Sequence, residues 1–352
     1  MSRTPFVERI WRGPAYVIAE IGINHTGSLD VAEQLVREAA AAGADAVKFQ
    51  TFRTENLIRP HEPKMPYQVR AGEAENQFEM LKKVELDWPS HLRLQELCRD
   101  LVIDMISTPY DRDSVDLLVE LGLSELKVAS TDTTNVPFLR YLERVETSPT
   151  TSIILSTGCT SLEELDRSMS VFEGASRGRV VLMHCVSYYP APLDQLNLRA
   201  VRELEARYGV PTGFSDHTDD VHVGAWAVAA GARILEKHFT FDKDAPGPDH
   251  RASLTPAELR VYIENVRRVS PALGDGVKRV AACEEPVKPR MQKSLVASRA
   301  LEKGAVLTAD DLREMRPATG ISPQQVDDVV GRRLRHPKGA LDELHWDDLE
   351  SA

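Results

Sequence analysis

Several features are scarce in these 352 residues, and each scarcity excludes a class of protein. No stretch approaches the roughly 18–20 uninterrupted apolar residues of a membrane span; the low-charge runs are broken by Gly, Asp or His. Residues 1–14 hold Arg3, Glu8, Arg9 and Arg12, but no apolar core followed by a small-residue cleavage site. No secretory signal is read, and a cytoplasmic address is expected. Cysteine is sparse, with Cys98, Cys159, Cys185 and Cys283 forming no CxxC pair, so reduced thiols are expected rather than a disulfide framework. Basic residues are in the minority, 43 Lys+Arg against 54 Asp+Glu, for a net charge of −11. With no basic block, the chain is a poor match to nucleic acid, whose binding draws much of its affinity from neutralised phosphates. A small anion would therefore need its positive groups gathered in one place.

What is present is an alternation. From about residue 16 to 270, short apolar runs end in small or polar residues and are followed by amphipathic stretches rich in Ala, Leu, Glu and Arg. The apolar runs are 16–21, 45–49, 103–107, 125–129, 152–155, 179–183, 211–214 and 233–236. Helical periodicity marks 29–42, where Leu29, Ala32, Leu35, Val36 and Ala39 share a face, and likewise 89–101, 161–172, 198–208, 221–230 and 256–273. Ser28 and Thr255 stand as N-caps for two of these. Eight strand–helix units in about 255 residues predict a closed (β/α)₈ barrel. An open doubly wound sheet is the alternative, but no GxGxxG follows the first strand. The segment 50–89 is too long for an ordinary β/α loop and is expected to form part of a lid over the site. The division expected is a barrel over 1–282, a Pro-containing linker over 283–291 and a small, mostly β module over 292–352. Strand-like runs in that module are 294–297, 305–308 and 325–330.

In such a barrel the reacting groups sit at the C-terminal ends of the strands. Those positions offer Glu20, Asn24 and His25; Lys48 and Gln50; Thr108; Lys127, Ser130 and Asp132; Ser156 and Thr157; His184, Ser187 and Tyr189; Ser215, Asp216 and His217; and Glu236, Lys237 and His238, with Asp249 beyond. Two lysines and a ring of hydroxyls suit a phosphate-bearing substrate. The alternative is that Lys48 and Lys127 merely pair with carboxylates such as Glu20 and Asp132. His217 and His238 end adjacent strands, so both rings could reach one divalent ion. Two imidazoles with water and substrate oxygens suit Mn²⁺, Fe²⁺ or Zn²⁺ better than Mg²⁺ or Ca²⁺. Glu20 lies on an otherwise apolar strand, which requires a partner or a proton-transfer role. His184 and Cys185 read as packing residues, and His61, His91, His222, His336 and His345 as surface residues.

These residues fall in ordered strings: YVIAEIGINHTGSLDVA, ADAVKFQTF, ISTPYD, LKVASTDTTN, ILSTG, HCVSYYPAP, GFSDHT and EKHFTFDKDAPGPDHRASL. Together they resemble the sialic acid synthase family, which condenses phosphoenolpyruvate with an N-acylated hexosamine. The string KSLVASRALEKGAVLTADDLREMRPATGIS resembles that family's antifreeze-like (SAF) domain. The resemblance implies that Lys48, Thr108, Lys127, Ser130, Ser156, Ser187 and Ser215 hold phosphoenolpyruvate, and that His217 and His238 bind a divalent metal. Mn²⁺ is the expected ion, with Mg²⁺ or Co²⁺ as the other candidates. Glu20, Gln50, Tyr189 and Asp249 would face the sugar, with Glu20 and Asp132 managing protons. It also implies a domain-swapped homodimer, in which Arg316 of one copy reaches the sugar's N-acyl group in the other. The chain departs from the family at Ser187, where bacterial neuraminate synthases often carry Asn, and at Pro317-Ala318-Thr319-Gly320, usually Pro-Gly-Asn-Gly. The first departure shortens a contact to phosphoenolpyruvate; the second, in a loop the resemblance places near the acyl group, leaves the acceptor open between N-acetylmannosamine and a 2,4-diacetamido relative. Rival readings are a phosphoenolpyruvate-dependent aldol synthase acting on a sugar phosphate, and a catalytically silent carbohydrate-binding protein on the same fold.

Overall fold

The computed structural model describes residues 4–65, 68, 76–145 and 151–351. Eight parallel strands close into a barrel: β1 (Tyr16–Gly22), β2 (Ala46–Thr51), β3 (Asp104–Pro109), β4 (Glu125–Val128), β5 (Ser152–Ser156), β6 (Val180–Cys185), β7 (Thr212–Asp216) and β8 (Ile234–His238). The seam is closed by β1 pairing with β8, where Ile18 lies opposite Glu236 and Glu20 opposite His238. Helices wrap the outside, so both faces of nearly every strand are buried, which is why the strands read as continuous apolar runs. The helices Leu29–Ala42 and Pro256–Leu273 begin on Ser28 and Thr255, each accepting a backbone N–H of the first turn.

Two outer helices, Arg112–Glu120 and Val136–Arg144, carry no separate mark in the periodicity reading; each is only nine residues long. Asp111 and Asn135 cap them. The helix Phe6–Arg12 was not anticipated either. Phe6 and Ile10 bury against Tyr16, Ile18, Ala46, Ile106, Ile154, Val181, Met183 and Ile234, and so plug the N-terminal end of the barrel. Arg9 latches the plug by pairing with Asp104 at 3.0 Å. His91, expected at the surface, is fully buried, because it shares the inner face of Trp88–Asp100 with Leu94 and Cys98. Its ring bridges the Asp87 carbonyl and the Thr51 hydroxyl, each at 2.9 Å.

The chain divides into two compact units, Met1–Gly274 and Asp275–Ala352. The second has its own core of Leu295, Ala297, Leu301, Leu307, Leu312, Ile321, Val329, Leu334, Leu344 and Leu349. Its antiparallel pair is β9 (Ser294–Ala297) with β10 (Leu312–Met315). Strand β10 escaped the sequence reading because only Leu312 of its four residues is buried. Two expected strands are corrected. Residues 305–308 make a single bridge, Val306 with Arg333, rather than a strand. Within 325–330 lies a helix, Val326–Val329, preceded by Ser322 and Pro323. Val326 and Val329 stand three apart, which suits a helical turn better than an alternating strand. The 283–291 stretch contains a short helix, Lys288–Met291. No helix among the described residues is long and apolar enough to cross a membrane.

Candidate active site

Side chains alternate along a strand, so parity decides what points into the barrel. Ile18, Ala46, Ile106, Ile154, Met183 and Ile234 pack in the interior cluster with the plug. Two residues further along each strand come Glu20, Lys48, Thr108, Ser156, Cys185 and Glu236, so these face the same interior at the mouth. Gln50 and His238 follow two residues later still. The same parity puts His184 outside, where its Nε2 meets the Leu196 carbonyl at 2.8 Å.

At the centre lies a cluster of four buried charges. Lys48 Nζ is 2.8 Å from Glu20 Oε2 and 3.8 Å from Glu236 Oε2, and it donates to the Thr108 hydroxyl at 2.9 Å. Lys127 Nζ lies 3.9 Å from Glu236 Oε2 and donates to the Ser156 hydroxyl at 2.5 Å. Ser215 donates to the other oxygen of Glu236 at 3.0 Å. The pairing of Lys48 with Glu20, raised as the alternative to a phosphate site, is therefore present, while Lys127 meets Glu236 rather than Asp132. Burial pulls Lys48 down, but Glu20 and Glu236 outweigh it and raise its pKa. Burial likewise pushes Glu236 up, yet Lys127 and Lys48 hold it well below the usual carboxylate range. Glu20 differs: burial lifts its carboxyl from 4.5 to about 7 against the pull of Lys48. Glu20 can thus take or release a proton near neutral pH, and its protonation leaves the cluster with net positive charge.

Ser130 and Ser187 extend this cradle. Gly158 donates its N–H to the Ser130 hydroxyl at 3.1 Å, and a Cβ at Gly158 would lie 2.1 Å from Ser187 Oγ, 2.6 Å from Ser130 Oγ and 2.9 Å from Cys185 Sγ. A glycine is needed there for the hydroxyls to close in. Cys185 packs, as expected, 3.2 Å from the Ser130 hydroxyl.

His217 and His238 come together at the end of β7 and β8, with ring centroids 5.6 Å apart. The Val186 carbonyl accepts from His217 Nδ1 at 2.7 Å, which leaves the lone pair on Nε2 facing the Tyr189 and Ser215 hydroxyls at 3.2 and 3.3 Å. His238 Nδ1 is buried without a hydrogen-bond partner, and Asp249 Oδ2 lies 3.9 Å from it. Burial lowers both imidazoles, His217 to about 4, so both rings are neutral donors. Neutral imidazoles with an available nitrogen fit a borderline divalent ion. Among the described residues no group of three or more His, Cys, Asp or Glu is arranged to hold a metal, so an ion held by these two rings would need water or substrate oxygens at its remaining positions.

Around this core stand the residues expected to face a sugar. Gln50 donates to Glu20 at 3.4 Å, and Tyr189 stacks on His217 with centroids 4.2 Å apart. Asp249 is buried and raised to about 6. Asp132 is buried and raised, and accepts from Asn135 at 2.9 Å. Arg316 belongs to the second unit, where it is exposed just beyond β10. The expected lid, 50–89, runs in part through 66–67 and 69–75, which lie outside the described residues. Two residues were missed. Glu236 was noted at its strand end but given no role, although its spacing between Ile234 and His238 fixes it as inward-facing. Tyr110, directly after β3, has its hydroxyl pushed up by burial and then by Glu20, Asp132, Asp249 and Glu236, which places it among those carboxylates.

Comparison with known proteins shows the family. The NeuB family model matches residues 35–278, and the SAF domain model matches 292–350. The chain is 40% identical over 319 residues to the N,N'-diacetyllegionaminic acid synthase of Campylobacter jejuni, covering 90% of this chain and 94% of that one. It is 39% identical over 341 residues to the enzyme of the same name from Legionella pneumophila, covering 96% and 95%. Among solved structures, the N-acetylneuraminic acid synthetase of Leptospira borgpetersenii matches with a TM-score of 0.69 at 33% identity, covering 78% of this chain and 90% of that one.

Proposed function

Because the chain belongs to the NeuB family, we propose that it joins phosphoenolpyruvate to the open-chain form of a 2,4-diacetamido hexose, releasing phosphate and a nonulosonic acid of the legionaminic type. The observation that carries the choice of acceptor is the pair of diacetyllegionaminic acid synthases at 40% and 39% identity, each matched over at least nine-tenths of its length. The departure at 317–320 accords with an acceptor other than plain N-acetylmannosamine. Intact lysines, histidines and Glu20 weigh against a silent carbohydrate-binding protein.

In this reading Lys48 and Lys127, with Thr108, Ser130, Ser156, Ser187 and Ser215, hold the carboxylate and phosphate of phosphoenolpyruvate. Charge comes from the ammonium groups and direction from the hydroxyls. Glu236 keeps the two ammonium groups charged and apart. Gln50, Tyr189, Tyr110 and Asp249 orient the sugar so that its aldehyde carbon faces C3 of phosphoenolpyruvate. A divalent ion on His217 and His238, with Mn²⁺ the expected choice, would supply Lewis acidity toward the aldehyde oxygen. Glu20, protonated on its carboxyl, delivers the proton that the aldehyde oxygen needs as the C–C bond forms. Water then adds at C2, the C2–O bond to phosphate breaks with the proton of the new C2 hydroxyl leaving on the phosphate, and the keto acid remains. Asp132 accepts a proton from that water. The second unit would complete the sugar site, with Arg316 supplied across a homodimer to the N-acyl group.

The test is an acceptor panel. Purified protein with Mn²⁺ and phosphoenolpyruvate is offered N-acetylmannosamine, its 6-phosphate and 2,4-diacetamido-2,4,6-trideoxymannose, and phosphate release and product mass are followed. The 2,4-diacetamido sugar should give the largest kcat/KM. A preference for the 6-phosphate would move the assignment to a sugar-phosphate synthase.

A further inference from the structure

Asp216 and Lys237 form an ion pair that the proposed chemistry does not use. They lie opposite each other across β7 and β8, both are 0% exposed, and Nζ is 3.3 Å from Oδ1. Taking two charges out of water is costly, and a well-packed apolar pair of similar volume would serve stability as well or better. Stability therefore does not account for their presence. Their position does. Asp216 immediately precedes His217 and Lys237 immediately precedes His238, so by parity the pair points outward while the two imidazoles point in. The ammonium lies 6.0 Å from the centre of the Tyr262 ring, on the outer helix Pro256–Leu273.

The contacts of that ammonium are specific. Besides the carboxylate, Lys237 donates to the backbone carbonyls of Asp216, at 3.4 Å, and Thr218, the two that bracket His217. The Asp216 carboxylate in turn accepts from the Thr218 N–H at 2.9 Å and the Thr218 hydroxyl at 2.7 Å. One side chain of β8 thus grips residues 216–218, the last residue of β7 and the two beyond it that include His217, while its own backbone carries His238 as the next residue.

We propose that the Asp216–Lys237 pair is a positioning device that holds His217 and His238 at the spacing needed to share one divalent cation. The proposal rests on the reading of those two histidines as metal-binding. Residues that orient ligating side chains affect metal affinity about 10- to 100-fold when replaced.

The experiment replaces both charges at once, Asp216→Asn with Lys237→Met, so that neither is left buried without a partner. Mn²⁺ binding to the substrate-free protein is titrated by the electron paramagnetic resonance signal of free Mn²⁺, and phosphoenolpyruvate binding by calorimetry. The expected result is a Kd for Mn²⁺ raised about 10- to 100-fold with phosphoenolpyruvate binding within about twofold. A wild-type Kd for Mn²⁺ overturns the proposal, and so does a parallel loss of both ligands, which would mark a general structural role. His238→Ala is run alongside. If it too binds Mn²⁺ like the wild type, the histidine reading fails; if it loses Mn²⁺ while the double variant does not, only the positioning proposal fails. Should the double variant not fold, Thr218→Val keeps both charges and deletes one contact, and is expected to weaken Mn²⁺ about threefold to tenfold. An unchanged Kd there overturns the proposal.

Discussion

Replacing Glu20 by glutamine removes one titrating proton and one charge from the barrel mouth while keeping the shape of the side chain. Lys48 loses its nearest carboxylate, at 2.8 Å, but keeps Glu236 at 3.8 Å, so its charge and its hold on an anion survive. The KM for phosphoenolpyruvate should therefore stay within a few-fold of wild type, while kcat falls about 100-fold or more, the usual worth of a positioned proton donor. The pH profile gives a second readout. With Glu20 raised to about 7, wild-type kcat/KM should fall above an inflection near pH 7, and that inflection should vanish in the variant. Stability gives a third. Between pH 4.5 and about 7 the folded protein keeps a proton on Glu20 that the unfolded chain has already released. The associated stability is present in full below 4.5 and is lost as the pH rises through 7. At about 1.4 kcal/mol per unit, this amounts to about 3 kcal/mol as an upper figure, and Glu20→Gln should escape it in urea unfolding series run from pH 4.5 to 8. Wild-type turnover, or an inflection near pH 7 that persists in Glu20→Gln, would refute the reasoning.

Glu236→Gln leaves two buried ammonium groups facing one carboxylate, which should cost about 3–5 kcal/mol in denaturant unfolding. Phosphoenolpyruvate brings the missing negative charge, so its addition should raise Tm more in this variant than in wild type. Gly158→Ala places a Cβ 2.1 Å from the Ser187 hydroxyl and 2.6 Å from that of Ser130, so both must swing out of the cradle. The KM for phosphoenolpyruvate should rise about tenfold or more, with the circular dichroism spectrum and the sugar KM unchanged. Arg316→Ala should raise the sugar KM about tenfold and leave the phosphoenolpyruvate KM alone; mixing it with a barrel-site variant such as Lys127→Met should restore part of the activity through mixed dimers.

The barrel was legible because its signal is repetitive: eight apolar runs, each followed by an amphipathic stretch, leave little freedom of topology. What escaped was short or plugged from elsewhere. Phe6 and Ile10 are buried only because the barrel's open end needs a cover, and nothing in their local pattern announces it. The mouth residues were legible as strand-end positions; strand parity, which carries from Ile18 to Glu20 and from Ala46 to Lys48, sorts those that face the interior once the strand bounds are known. Glu236 obeys the same rule, yet its strand-end position alone gives it no role. Its role emerges only when two lysines from β2 and β4 are seen to converge on it. His91 was misplaced because a polar residue in a helix looks solvent-facing until Thr51, 40 positions earlier, supplies the partner for its ring.

The central claim is that the mouth of this barrel makes a carbon–carbon bond from C3 of phosphoenolpyruvate. The most direct measurement is a carbon NMR time course with phosphoenolpyruvate labelled with ¹³C at C3, in the presence of Mn²⁺ and the 2,4-diacetamido sugar. The account predicts that the vinyl resonance is replaced by that of the C3 methylene next to the new anomeric carbon, in step with phosphate release. A vinyl signal that persists, or that turns into the methyl signal of pyruvate, would contradict it.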